Sequence, residues 1–274
     1  MSDGVELTNK KGILLKYNFI NKVIFRIDFA TINELAGKDS NAPQEFIKKI
    51  SDKFTYDKAV PNNKDLNINI DINSGQVDLQ EDGNFIWIFN SKDTKKELTL
   101  TANNLVLDYK KNAYYNFHDF LEEILLIIGA LNESFNVSLN FLGLRYINNI
   151  NDPKITENIG EYINPDLSNM NLINNLEKND EELVQIFTKL NFRKENYLLT
   201  LQYGLFNPNF PEVLSDKSFI LDYDCVCNDI SSIEEIKPNL KAMNKFIFNK
   251  FDYSITQKLL DLMKYGRRDS NVSD

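Results

Sequence analysis

The chain predicts an α+β fold of two similar halves, each an antiparallel sheet with a long packing helix. Three observations lead there. Strand patterns of period two recur on both sides of residue 134, and each half closes on a long amphipathic segment, Phe117–Leu131 and Ile233–Phe251. Similar joints follow these two segments, ALNESFNVSLNF after the first and FNKFDYSITQKL after the second. The order strand, polar crossing with helix, strands, long helix is what an internal duplication would leave behind. The predicted units are residues 1–134 and 135–266, with a flexible tail at 267–274.

The elements follow in order. Residues 1–19 carry weak signals and read as an arm or an irregular first strand. KVIFRIDF (Lys22–Phe29) alternates as a strand, with Val23, Phe25, Ile27 and Phe29 on one face. In Pro43–Phe54, Phe46, Ile50 and Phe54 recur every fourth residue, one buried helical stripe. Leu66–Ile72, Gln76–Gln80 and Asn84–Phe89 read as strands separated by Gly75 and Gly83. Asn84–Phe89 is apolar on both faces, which predicts a central strand covered on both sides. Lys96–Tyr109 is one bulged strand or two joined at Ala102–Asn104.

Phe117–Leu131 has a cap candidate in Asn116 and a wide apolar face. Gly129 inside it, a propensity cost of about 1 kcal/mol, predicts close packing of the helix on the sheet there. Strand Phe135–Ile150 opens the second half, followed by a short helix near Leu167–Leu176 and strands Glu182–Phe192, Tyr197–Phe206 and Ser218–Cys227. Pro238 sets the start of the next helix, because proline is tolerated only in a first turn. A short helix at Ser254–Lys264 ends the pattern.

Composition bounds the function. With 274 residues, 19 of them Phe and 12 Tyr, the chain can bury a large core and is not generally disordered. Forty acidic against 31 basic residues, net −9, weigh against a broad phosphate-binding face and against anionic membrane. The most apolar run, Ile124–Leu131, is too short to span a bilayer, and MSDGVELTNKK lacks an apolar signal region, so a cytoplasmic protein is expected. Cys225 and Cys227, two apart on a strand, read as reduced core thiols.

The candidate site centres on Arg145, Tyr146 and Asn148 in the middle strand, with Asp222 and Asp224 in a late one. Arg145 and Tyr146 are neighbours and so face opposite ways; Asp222 and Asp224 share a face. An arginine in so apolar a strand needs a partner, which predicts an ion pair from Arg145 to Asp222 or Asp224. The alternatives are a pocket for an anionic or polar ligand at Arg145, or a catalytic or metal-binding aspartate pair. The latter would need a third oxygen ligand that nothing nearby marks. One histidine, His118, is too few for a multi-histidine metal site, and no G-x-x-x-x-G-K phosphate loop exists. No catalytic, cofactor-binding or metal residue is assigned, and no cofactor is expected.

The residues around Arg145 also carry a resemblance. GLRYINNI (Gly143, Leu144, Arg145, Tyr146, Asn148, Ile150) resembles a sporadically distributed bacterial family of unknown function, marked by a central Gly-Leu-Arg-Tyr-x-Asn-x-Ile segment. The likeness extends to KVIFRIDF, to ILDYD (Ile220–Asp224) and to Phe246–Thr256. Where many members have a proline before the opening strand and a glutamate inside it, this chain has Ile20–Asn21 and Arg26, as in a divergent member. The resemblance implies a bacterial cytoplasmic protein, with a patchy distribution like that of accessory or defence-linked genes. It brings no chemistry.

The function expected is therefore a non-enzymatic binding or regulatory protein whose partner is another protein, with loops such as Phe206–Asp216 supplying an interface. The alternatives are a small-ligand or nucleic-acid binding protein, or a hydrolase-like enzyme using Arg145, Asp222 and Asp224. KYNFINKVIFR and KLNFRKENY mix basic and aromatic residues, but the net charge argues against nucleic acid.

Overall fold

A computed structural model describes residues 5–6, 14–15, 17–36, 43–61, 66–70, 77–81, 85–168, 184–207, 209–212 and 218–265. Thirteen strands are found among them. Short β1 (Val5–Glu6) pairs with β2 (Leu14–Leu15), and β5 (Leu66–Ile70) with β6 (Val77–Glu81). The other nine are β3 (Ile20–Phe29), β4 (Phe54–Pro61), β7 (Phe85–Ser91), β8 (Lys96–Leu100), β9 (Asn104–Tyr109), β10 (Leu139–Ile150), β11 (Thr188–Lys194), β12 (Tyr197–Phe206) and β13 (Ser218–Cys227). They form one antiparallel sheet in the order β11-β12-β13-β10-β3-β9-β8-β7-β4.

This single sheet overturns the expectation of two similar halves, each with its own sheet. β3 and β10 are hydrogen-bonded partners from Leu139 opposite Phe29 to Asn148 opposite Ile20. Backbone groups along both strands are thereby satisfied in the interior, where two separate sheets would have exposed two further edges. The flanks are also unequal, with four strands beyond β3 and three beyond β10.

One face of the sheet carries the core. Val23, Phe25, Ile27 and Phe29 of β3 and Leu142, Leu144 and Tyr146 of β10 are buried with Phe120, Ile124, Ile127 and Leu131 of the helix Phe117–Phe135. Leu240, Met243, Ile247 and Phe251 of the helix Ile236–Ser254 join the same cluster. Full burial of such side chains contributes about 1.5–3 kcal/mol each. The described helices send their buried residues into this one core, so that, among the described residues, the alternate residues of the sheet form an open, half-buried face.

Local signals explain the helix ends. Asn116 accepts from the Asp119 amide at 2.8 Å, and left-handed Asn136 closes the helix at Phe135, so β10 begins only at Leu139. Ser232 and Glu235 form a capping box around the turn Ile233–Glu235, and Pro238 falls in the first turn of Ile236–Ser254. No described helix is long and apolar enough to cross a membrane.

Lys96–Tyr109 takes the second of its two expected forms, two strands, β8 and β9. Other local expectations are corrected. β7 is not central but lies next to edge strand β4, with Ile86 and Ile88 half-buried rather than covered. β11 starts at Thr188, and residues 184–187 before it are irregular. A Cβ on Gly129 would meet nothing within 4 Å, so no close approach to the sheet explains that glycine. The short helix expected near Leu167–Leu176 is seen as Pro165–Ser168; its remainder and the tail lie outside the described residues.

Candidate functional site

The five candidate residues divide between the two faces of the sheet, because alternation in β10 sends 145 one way and 146 and 148 the other. On the core face, the Tyr146 hydroxyl lies 3.1 Å from that of Tyr114 and donates to Asn244 Oδ1 at 3.0 Å. Burial pushes the Tyr146 phenol well above its ordinary range, which keeps it neutral. Asn148 is buried beside it and donates from Nδ2 to the Leu221 carbonyl at 3.3 Å. These two residues hold strands and helix together.

Arg145, Asp222 and Asp224 meet on the open face. Register puts Asp224 opposite Arg145 and Asp222 opposite Ile147. Arg145 nevertheless leans diagonally and holds Asp222 with two bonds, Nε to Oδ1 at 2.8 Å and Nη2 to Oδ2 at 2.6 Å. The Asp222 side chain is only 7% exposed and that of Arg145 38%. Such a forked pair is geometrically demanding and sets the direction of the guanidinium. The hydrogen-bonded Asp222 carboxylate raises the pKa of Arg145.

A similar fork stands one strand away. Arg26 binds Asp28 at 2.7 and 2.8 Å while lying 5.4 Å from the centre of the Phe141 ring. Gly143 lies beneath that ring: a Cβ there would come within 3.1 Å of it. Lys22 and Asp108 form a further pair on the same face. Asp224 is the exception, with no side-chain hydrogen bond or ion pair among the described residues.

Burial raises the pKa of Asp224, and the nearby Arg145 charge only partly offsets this. A carboxylate with a raised folded-state pKa costs stability when both states are ionised, and that cost disappears as pH falls through the folded pKa. Asp224→Asn is therefore expected to melt at or above the wild-type temperature at pH 7, the difference fading below about pH 4. Paired thermal melts from pH 7 to pH 3 check this; a lower Tm for the variant at neutral pH would contradict it.

A second feature borders this face at the far end of β12. Gly204, at φ +146°, has the backbone of Ile186 pressed against it: a Cβ would lie 2.0 Å from the Ile186 carbonyl oxygen. The Ile186 amide also bonds the Leu205 carbonyl at 3.2 Å. Just beyond, the buried Asn207 side chain donates to the carbonyls of Val184 (3.1 Å) and Glu212 (2.6 Å) and accepts from the Asn209 amide (3.0 Å). Around this hub Phe187, Phe206 and Phe210 are 41%, 40% and 60% exposed. The loop from Phe206 was legible in the sequence as an interface candidate; Phe187 and Asn207 were not. The signal that could have found them is Gly204 itself, since a glycine inside a strand marks a close backbone approach.

Other chemistry-bearing groups stand apart. His118 is exposed on the first turn of its helix. Cys225 and Cys227 are buried free thiols, and burial pushes Cys225 up to about 12. Among the described residues, no three His, Cys, Asp or Glu side chains are grouped to hold a metal ion. A concavity of about 540 Å³, lined by charged side chains such as Lys96, Asp119 and Glu123 and by apolar ones such as Phe120 and Leu126, contains none of the sequence candidates. In it Lys96 is held by Glu123 at 2.8 Å.

Comparison with known proteins adds no assignment to this geometry: no family model matches the chain, and no curated protein matches it significantly.

Proposed function

We propose that this protein is a non-enzymatic recognition module that binds another protein through the open face of its sheet, anchored at the Phe187–Phe206–Phe210 corner. One observation carries the reading: three exposed phenylalanines flank the two segments, 184–187 and 206–212, that the buried Asn207 ties together. Exposed apolar clusters mark interaction sites, and aromatic side chains are enriched in the cores of protein interfaces. A locked loop lowers the ordering cost of binding. At the centre of the adjoining face Lys22, Arg26 and Arg145 are each held by an aspartate, which supports a protein partner over phosphates there, while exposed Lys189 and Arg193 lie at the edge of the sheet on β11. The resemblance to a patchily distributed bacterial family supports reading such a module as part of an accessory or defence-linked system.

The test is recovery of the protein from its host at natural abundance, with a photo-crosslinking residue at Phe210 or, as control, at exposed Leu126 on the helix side. A stoichiometric protein should crosslink from 210 alone. Phe206→Ser with Phe210→Ser should weaken that partner about 30-fold or more, as loss of a binding hot spot does. Because both side chains are largely exposed, the Tm of the double variant should stay near wild type. Retention of the partner by the double variant, or recovery of nucleic acid without protein, would defeat the reading.

A further inference from the structure

We infer that the partner presents a basic side chain, arginine or lysine, to Asp224, next to an apolar segment that covers the phenylalanine corner. This rests on the recognition reading above and adds the chemistry of the partner.

The inference comes from charge matching at the centre of the open face. Around Asp224 both arginines are already committed, Arg26 to Asp28 and Arg145 to Asp222, each through two bonds, and Lys189 of β11 acts on Asp224 only through its charge, without an ion pair to it. Asp224 is left over. Its neighbour across β12 is Thr200, whose hydroxyl donates to Asn191 Oδ1 at 2.9 Å and is thus engaged elsewhere. Part of this half-buried carboxylate is open to solvent. A partner covering the face would exclude that solvent, and an uncompensated buried carboxylate is among the costlier things an interface can contain. An apolar or acidic surface would be rejected there, whereas a guanidinium or ammonium would supply both charge and donors. Asp224 thus selects as well as binds.

The two features fit one partner. Phe206 pairs with Ser218 and Thr200 with Asp224, so six residues of β12 separate them, about 20 Å at 3.3 Å per residue. That distance lies within a standard-size protein interface. An extended segment of about seven residues, basic at one end and apolar at the other, would reach both.

The full chain should be panned against a phage-displayed library of random 12-residue peptides. The best peptide is then synthesised and its affinity measured for wild type, Asp224→Asn and the Phe206→Ser, Phe210→Ser double variant. Enriched peptides should combine Arg or Lys with apolar residues. Affinity should fall about tenfold in Asp224→Asn, a loss that high salt imitates, and should fall in the double variant too. Peptides that need the phenylalanines but lack a basic residue, or ignore Asp224→Asn, overturn this inference and leave the recognition reading standing. Peptides indifferent to the phenylalanines, or a failure to enrich any, count against both. Near-isosteric Asp224→Asn keeps loss of binding separable from loss of fold, which the pH-dependent melts report independently.

Discussion

Gly204→Ala is expected to be among the most destabilising single-methyl additions in the chain. At φ +146° an L side chain is strained in itself, and its Cβ would sit 2.0 Å from the Ile186 carbonyl oxygen. That obstacle is backbone, held by the bond from the Ile186 amide to Leu205, so no rotamer change relieves it. Strain and displacement together should cost about 3 kcal/mol, read as a lower urea midpoint with little change in m. Two other glycines calibrate the result. At Gly143 the added methyl would meet the Phe141 ring at 3.1 Å, a side chain able to turn aside, so a smaller loss is expected. At Gly129, inside a helix with open space around it, alanine should stabilise by about 0.5–1 kcal/mol. If Gly204→Ala melted like wild type, the close crossing of residues 184–187 over β12 would be wrong, and the aromatic corner with it.

Asn207→Ala is expected to separate the presence of the phenylalanines from their preorganisation. The substitution removes no aromatic group, yet it leaves the Val184 and Glu212 carbonyls and the Asn209 amide without their side-chain partner. A buried polar group deprived of its hydrogen bond costs about 1–3 kcal/mol, unless the segment opens to reach water. Local opening is the cheaper response, because Phe210 and Glu212 are already exposed. Amide exchange should therefore speed up at Asn209, Phe210 and Glu212 while the strands of the central sheet stay protected. Binding of the partner or of the selected peptide should weaken about tenfold, the cost of ordering a loop that wild type holds ready. Unchanged exchange at those three amides would show that Asn207 is not the hub. Faster exchange with unchanged affinity would show that preorganisation contributes nothing to binding.

What the sequence determined by itself was local. Alternation placed Leu221, Tyr223 and Cys225 inward and Asp222 and Asp224 outward, and it sent Arg145 and Tyr146 to opposite faces, because side chains alternate along any strand regardless of its neighbours. Asn116 marked a helix start and Pro238 a first turn for the same kind of reason: caps and proline act within a few residues of themselves. The tertiary structure alone decided which strands meet. β3 and β10 stand more than one hundred residues apart in the chain, and their pairing made one sheet where the sequence pattern suggested two. Arg145 had two acceptors on the same strand face, and the diagonal lean across β13 chose Asp222 and left Asp224 unmatched. The phenylalanine corner likewise forms only when residues 184–187 fold back against Gly204 and Asn207. Periodicity and capping are written residue by residue, whereas register, charge matching and surface clustering depend on which distant segments satisfy each other's hydrogen bonds.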